Sequence, residues 1–300
     1  MIIINLGFPK TSTTNLQINF YPYLNDINYF GKHYKNNSKL FIDLNNFIEN
    51  RKRFSNSELN NLIQNLKNYC NKKKKILISQ ENWTGSFQKN NLTRKMEVVN
   101  QEVKLKNLLF VLNKINTSYK FFIIQRDLKT SISSLFVTLQ DHIRLLYGEK
   151  FLSFDFFLDY INKKKNGYKD LLLLLDTYNL KKITKIIPEN KIQLFDYKDI
   201  LDNQKKFINN FSNYLGIEIN DDLINKLSIH TKVTSINKKG EYQFESKNKL
   251  FTLLKLFIPK ILINKLSFLL KIKFIRFFLF KNYSVNKKND ILEKIINEHF

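Results

Sequence analysis

What most limits the fold of this chain is the way it begins. Ile2 to Leu6 reads as a buried strand. Gly7-Phe8-Pro9-Lys10-Thr11-Ser12-Thr13-Thr14 follows at once, ahead of a helical pattern containing Leu16 and Phe20. A strand that passes through a lysine-and-hydroxyl loop into a helix start is suited to anions. The N–H groups of a first helical turn lack intrahelical partners, and the helix dipole favours negative charge there. Lys10 and the hydroxyls of Thr11, Ser12, Thr13 and Thr14 add further donors.

The rest of the chain repeats the strand-then-helix theme. Ile76 to Ser79, Phe121 to Gln125 and Ile192 to Phe195 read as strands, with a short one near Tyr29 to Gly31. Helical patterns separate them, including Tyr168 to Ile187 and Phe207 to Leu215, the latter ending at Gly216. Lys35 to Asn37, Asn50 to Ser57 and Gln88 to Asn91 read as loops. Apolar strands alternating with helices predict a parallel sheet covered on both faces, joined by right-handed crossovers. The expected fold class is therefore α/β, a three-layer sandwich with a central parallel sheet of P-loop NTPase-like type, plus a helical C-terminal region. The expected division is an α/β core over 1–220 and a basic, apolar-rich helical extension over 221–300 packed on it.

The opening loop is not a Walker A sequence, because proline rather than glycine precedes Lys10. Its order P-K-T-x-T-T instead resembles the 5′-phosphosulfate loop of the sulfotransferases that use 3′-phosphoadenosine 5′-phosphosulfate (PAPS). Ser12 stands where that family usually carries glycine, the residue most tolerant of positive φ. A second match lies after the strand Phe121 to Gln125. There Arg126-Asp127 leads into Leu128, Ile132, Leu135, Leu139, Ile143 and Leu146 at helical spacing, and Asp127 is placed to cap the helix. The family binds the donor's 3′-phosphate with an arginine at this strand end and a serine on the next helix, seven residues between them. Arg126 and Ser134 have that spacing. A guanidinium offers a planar fork for phosphate oxygens. A third, more general likeness is Asp196-Tyr197 closing a strand and Tyr214-Leu215-Gly216 ending a helix.

The resemblance implies a PAPS-dependent sulfotransferase of a microbial carbohydrate type, acting on a hydroxyl or amine of a glycan or small molecule, without a metal. It implies Lys10 at the leaving oxygen and Thr11, Ser12, Thr13 and Thr14 around the phosphosulfate, with Arg126 and Ser134 at the 3′-phosphate. It does not choose the base. Glu81, just beyond the strand Ile76 to Ser79, is the best placed, because strand ends converge on the cleft. His33 is second. His142, His230 and His299 have no metal-ligand spacing. Lys238-Lys239-Gly240 keeps only part of the basic loop that closes over the 3′-phosphate in some members, and reads better as a solvated turn. The competing readings are a P-loop kinase using ATP and Mg²⁺, and a basic membrane- or nucleic-acid-binding protein on a degenerate enzyme fold. Against the kinase stand the missing Walker glycine and the lack of a metal-binding carboxylate after a strand other than Asp127.

Composition adds boundaries. The chain has no alanine and a formal net charge of +24. Its lysine, asparagine, isoleucine and phenylalanine excess is what AT-rich coding would give. Part of the charge therefore fills solvated faces, as at Lys72 to Lys75, while still steering a polyanionic donor. No nucleic-acid partner is expected. One cysteine, Cys70, excludes an internal disulfide and reads as a packing residue. The opening lacks the pattern of a signal peptide, and no apolar run reaches membrane-spanning length. The expected location is cytoplasmic. Peripheral contact with the inner face of the membrane is an option through 250–280, where Lys255, Lys260, Lys265, Lys271, Lys273 and Arg276 interrupt an apolar stretch.

Overall fold

The computed structural model describes residues 1–8, 11, 13–31, 39–85, 87–89, 96–98, 100–147, 153–163, 177–219, 223–224, 242–247, 280–285 and 290–299. Among them the chain order is β1 (Ile2–Asn5), α1 (Thr13–Asn19), β2 (Asn28–Gly31), α2 (Lys39–Ile48), α3 (Asn56–Asn71) and β3 (Ile76–Ser79). Then come β4 (Phe87–Lys89), β5 (Met96–Val98), α4 (Gln101–Ile115), β6 (Tyr119–Gln125), α5 (Leu128–Tyr147), α6 (Phe154–Lys163) and α7 (Leu180–Thr184). The chain finishes with β7 (Ile192–Asp196), α8 (Tyr197–Asp202), α9 (Gln204–Leu215), β8 (Tyr242–Lys247), β9 (Phe280–Val285) and α10 (Asp290–His299). It divides into two compact units, one of Met1–Leu128, Asn166–His230 and His299–Phe300, the other of Lys129–Lys165 and Thr231–Glu298.

In the first unit five strands form one parallel sheet in the order β2-β3-β1-β6-β7. β1 is buried throughout, Ile4 lying between Ile78 and Phe121, and Asn5 between Ser79 and Phe122. The chain leaves β1 toward β2 and β3 on one side and later returns to β6 and β7 on the other. The strand order therefore reverses at β1, the place where open α/β sheets form a crevice beyond their carboxyl ends.

Alternation along the strands supplies both faces. Ile3, Leu77, Tyr29, Phe122 and Ile124 point into one core with Leu16, Phe20, Tyr21, Phe207, Phe211 and Leu215. Phe211 sits among the rings of Phe20, Tyr21, Phe122, Phe195 and Phe207, with centroids 5.2–6.2 Å away. Such pairs contribute roughly 0.5–1.5 kcal/mol each beyond area burial. On the other face Ile2, Phe30, Ile76 and Ile78 meet Leu44 of α2, Leu66 and Tyr69 of α3, and Leu108, Val111, Leu112 and Ile115 of α4. Cys70 packs in this layer, and burial pushes its thiol up. Helices thus cover both faces, which is the three-layer α/β sandwich with a central parallel sheet that the sequence predicts.

Helix ends follow local chemistry. Ser55 accepts from the Glu58 N–H at 3.3 Å while Glu58 accepts from the Ser55 N–H at 2.9 Å, a capping box that starts α3. Gly216, at φ 64°, closes α9 in the left-handed region that glycine adopts without penalty. Two expectations are corrected. Gln88 and Lys89, read as loop, belong to β4, which pairs antiparallel with β5; three-residue strands are too short to show a period. The helix expected from Tyr168 to Ile187 does not run through Thr177 and Tyr178, which form a turn. There the Asn179 side chain accepts from the Lys182 N–H at 3.1 Å and starts α7 afresh.

In the second unit Phe136 of α5 packs against Phe154 and Phe157 of α6, both at 5.0 Å between ring centroids. Lys129 pairs with Glu293 of α10, and β8 pairs antiparallel with β9. Of the 250–280 stretch only Phe280 is described, opening β9. Among the described residues no helix is long and apolar enough to cross a membrane.

Candidate functional site

β1 ends in a polar residue, Asn5, fully buried at the sheet's carboxyl edge. Its Nδ2 donates to the Tyr21 hydroxyl at 2.8 Å and to Ser79 Oγ at 3.1 Å, and Gln17 Nε2 donates to the same Ser79 Oγ at 2.9 Å. This network ties the ends of β1 and β3 to α1 beneath the opening loop. Gly7 then brings the loop close to α1, since a Cβ there would meet the Thr13 side chain at 2.7 Å. Thr11 donates to the Phe8 carbonyl at 2.7 Å, Thr13 reaches the same oxygen at 3.3 Å, and the two hydroxyls lie 3.1 Å apart. Both are buried, so in this arrangement their hydroxyl protons serve the loop itself. Thr14 is exposed on the first turn of α1. Lys10 and Ser12 lie outside the described residues.

The turn after β3 carries Glu81 and is held from several directions. Gln80 Nε2 and Trp83 Nε1 both donate to Asn45 Oδ1 of α2 at 3.0 Å. Gln101 Nε2 of α4 donates to the Thr84 carbonyl at 3.0 Å. Thr84 Oγ1 lies 3.2 Å from the Gly7 carbonyl and 3.2 Å from the Glu81 carbonyl, linking this turn directly to the loop after β1.

The third strand end belongs to β6. Register with β7 continues to Gln125 opposite Asp196, so Arg126 stands at the tip of β6 on the same edge as the other two segments. Its guanidinium lies over the Tyr197 ring, 5.0 Å from the centroid, which orients the planar fork. Asp196 caps α8 by accepting from the Lys198 N–H at 2.8 Å and so fixes Tyr197. Ser134 is buried on the second turn of α5, in the second unit.

Tyr178 connects these parts electrostatically. It is 2% exposed, and its ring meets Phe8 edge-on at 5.5 Å. Burial pushes its hydroxyl far above the ordinary phenol range, the Arg126 guanidinium pulls it down, and the Glu81 carboxylate pushes it further up. Tyr29 is raised likewise by burial and then by Glu81. One buried hydroxyl thus feels both the residue expected at the 3′-phosphate and the residue expected to act as base. Residue order gave no reason to single out Tyr178, since it sits inside a run that reads as helix. Asn5 did carry a signal, a polar residue closing an apolar strand. His33, His230 and Lys238-Lys239-Gly240 lie outside the described residues.

No family model and no curated protein matches the sequence. Among solved structures, the chain is similar to a sulfotransferase from Alicyclobacillus acidocaldarius at 13% identity and a TM-score of 0.44, covering 75% of this chain and 88% of that one. It is also similar to the sulfotransferase domain of a Synechococcus olefin synthase, at 11% identity and a TM-score of 0.38, covering 76% and 77%. Thymidylate kinase from Candida albicans matches at 13% identity and a TM-score of 0.32, covering 73% and 95%. What the site can do follows from the chain's own residues.

Proposed function

We propose that this protein is a PAPS-dependent sulfotransferase that sulfates a hydroxyl or amine, on a carbohydrate acceptor. One observation carries the reading. The loop after β1, the Glu81 turn after β3 and Arg126 after β6 come from adjacent parallel strands at one edge of the sheet, where the strand order reverses. Arg126, the threonine hydroxyls of the loop and the first N–H groups of α1 lie along that edge, and Lys10 belongs by sequence to the same loop, a set that suits a nucleotide carrying anionic groups at two ends. Lys10, Ser12, Thr14 and the loop amides hold the phosphosulfate, with Thr11 and Thr13 shaping the loop from within. Arg126 holds the 3′-phosphate, the group to which the sequence resemblance also assigns Ser134.

In the reaction the acceptor oxygen or nitrogen attacks sulfur in line, and the bond from sulfur to the 5′-phosphate oxygen breaks. The electron pair stays on the departing 3′,5′-adenosine bisphosphate (PAP), and the acceptor proton passes to the Glu81 carboxylate. The Lys10 ammonium neutralises charge growing on the leaving oxygen.

Calorimetric titration with PAP, ATP and ATP with Mg²⁺ tests this. The expected result is tight, metal-independent PAP binding that Arg126→Ala weakens by about 10-fold to 100-fold, the range for losing a charge-assisted hydrogen bond. Binding of ATP only with Mg²⁺, or no nucleotide binding at all, overturns it. A screen of hydroxyl- and amino-sugars with labelled PAPS then defines the acceptor.

A further inference from the structure

Lys104 lies on the inward stripe of α4 with Gln101, Leu105, Leu108, Leu112 and Ile115, and it is fully buried. An ammonium in such a place is unfavourable unless its protons are used and its charge is opposed. Lys104 Nζ donates to the Asn82 carbonyl at 2.9 Å and to the Gly85 carbonyl. Burial lowers its pKa to about 8, with the Glu49 carboxylate supporting the charge and Arg51 working against it. Glu49 is itself buried and ion-paired with Arg51.

Both acceptors belong to the turn that carries Glu81. Asn82 follows Glu81 directly and Gly85 closes the turn, so a single ammonium clamps the turn across its width. The other ties use different groups of the turn: Asn45 accepts from the side chains of Gln80 and Trp83, Gln101 donates to the Thr84 carbonyl, and Thr84 Oγ1 lies 3.2 Å from the Glu81 carbonyl. Thr84 meanwhile links the turn to the Gly7 carbonyl. Lys104 therefore anchors the same segment that Thr84 joins to the anion loop.

We propose that Lys104 is a positioning residue for group transfer, acting through the Glu81–Gly85 turn to fix the backbone that bears Glu81 relative to the loop after β1. This rests on the sulfotransferase reading above.

Trp83, the single tryptophan of the chain, is buried in the same turn and reports on it. The full chain, Lys104→Met and Lys104→Gln are compared by acrylamide quenching of Trp83, thermal midpoint, PAP titration, and transfer from labelled PAPS to the sugar panel. Lys104→Met is expected to raise the quenching constant at least about threefold and to lower kcat about 10-fold to 100-fold, the size of effect that misplacing a catalytic group produces. PAP affinity and the KM for PAPS stay within about threefold of the parent protein, and Lys104→Gln, which keeps a donor, falls between the two. Unchanged quenching and kcat in Lys104→Met overturn the inference while leaving PAP binding by the parent protein intact. So does loss of PAP affinity in step with quenching and thermal midpoint, which marks Lys104 as a support of the whole fold. If Lys104→Met does not fold, Lys104→Gln decides by the same readings. Absence of PAP binding by the parent protein removes the sulfotransferase reading, and the catalytic role of Lys104 with it.

Discussion

The loop after β1 and the turn after β3 face each other across one edge of the sheet, yet they are held in opposite ways. The loop is built from within: Thr11 and Thr13 satisfy the Phe8 carbonyl, and Gly7 allows the close approach to Thr13. The turn is built from outside, by Asn45 on α2, Gln101 and Lys104 on α4, and the Gly7 carbonyl that Thr84 reaches. A loop that folds on itself needs only its own residues and can adapt around a ligand. A turn clamped by distant elements is preorganised, which a group that must meet an acceptor proton at a fixed point requires. Under the proposed function, the difference gives donor capture to one side and acceptor alignment to the other.

Lys10→Ala is the largest break on the loop side. Under the proposed function it removes the charge at the leaving oxygen, and turnover is expected to fall about 100-fold to 1,000-fold, the scale for losing one preorganised transition-state contact. PAP affinity should change far less than in Arg126→Ala, because the Lys10 interaction strengthens as the bond breaks. Equal losses in turnover and PAP affinity, measured by steady-state kinetics and calorimetry, would show that the loop only binds.

On the turn side, Asn45→Ala leaves the Gln80 amide and the Trp83 indole N–H without their shared acceptor. Each buried group so stranded costs about 1–3 kcal/mol, so denaturant unfolding should show a loss of about 2 kcal/mol or more. Trp83 emission should shift at the same time. A loss below about 0.5 kcal/mol would mean that the turn is held without α2.

The pH dependence separates the buried lysine from the rest. Unfolded, Lys104 keeps its proton up to about 10.5, whereas in the folded protein it releases it near 8. Between those values the unfolded state binds more protons, so this group's contribution to stability rises with pH, by at most about 1.4 kcal/mol per unit. The stability of the parent protein relative to Lys104→Met should therefore climb from pH 8 to 10. Urea melts of both proteins across that range give the slope, and a flat difference would place Lys104 in water.

These same contrasts explain what could be read in advance. β1, its loop, β3 with Glu81 after it, and β6 with Arg126 after it are contiguous segments, each announced by an apolar run and the residue that ends it. The paired strands then brought them to one edge. Tyr178, Asn45 and Lys104 act over long sequence separations and show no local pattern. Lys104 did leave a trace, a lysine in register with Gln101, Leu105, Leu108, Leu112 and Ile115 on a helix whose other lysines are exposed. In a chain crowded with lysine that trace is hidden, because burial of one among many cannot be told from composition. Short strands such as β4 and β5 escaped for a different reason: three residues are less than two full repeats of the strand period.

The smallest break, Thr84→Val, addresses the tie between the two regions directly. It removes one hydroxyl shared between the Gly7 and Glu81 carbonyls while keeping side-chain volume nearly constant. The stability loss should be only about 1 kcal/mol, that of one ordinary hydrogen bond. Asn45→Ala loosens the turn from α2 but leaves its link to the loop, whereas Thr84→Val cuts that link and leaves the other anchors. If acceptor alignment depends on the separation of loop and turn, Thr84→Val lowers kcat more per unit of lost stability than Asn45→Ala does, with PAP affinity unchanged in both. Should the two variants fall on one line of kcat against stability, the loop and the turn act as independent parts, and the division of labour drawn from their construction fails.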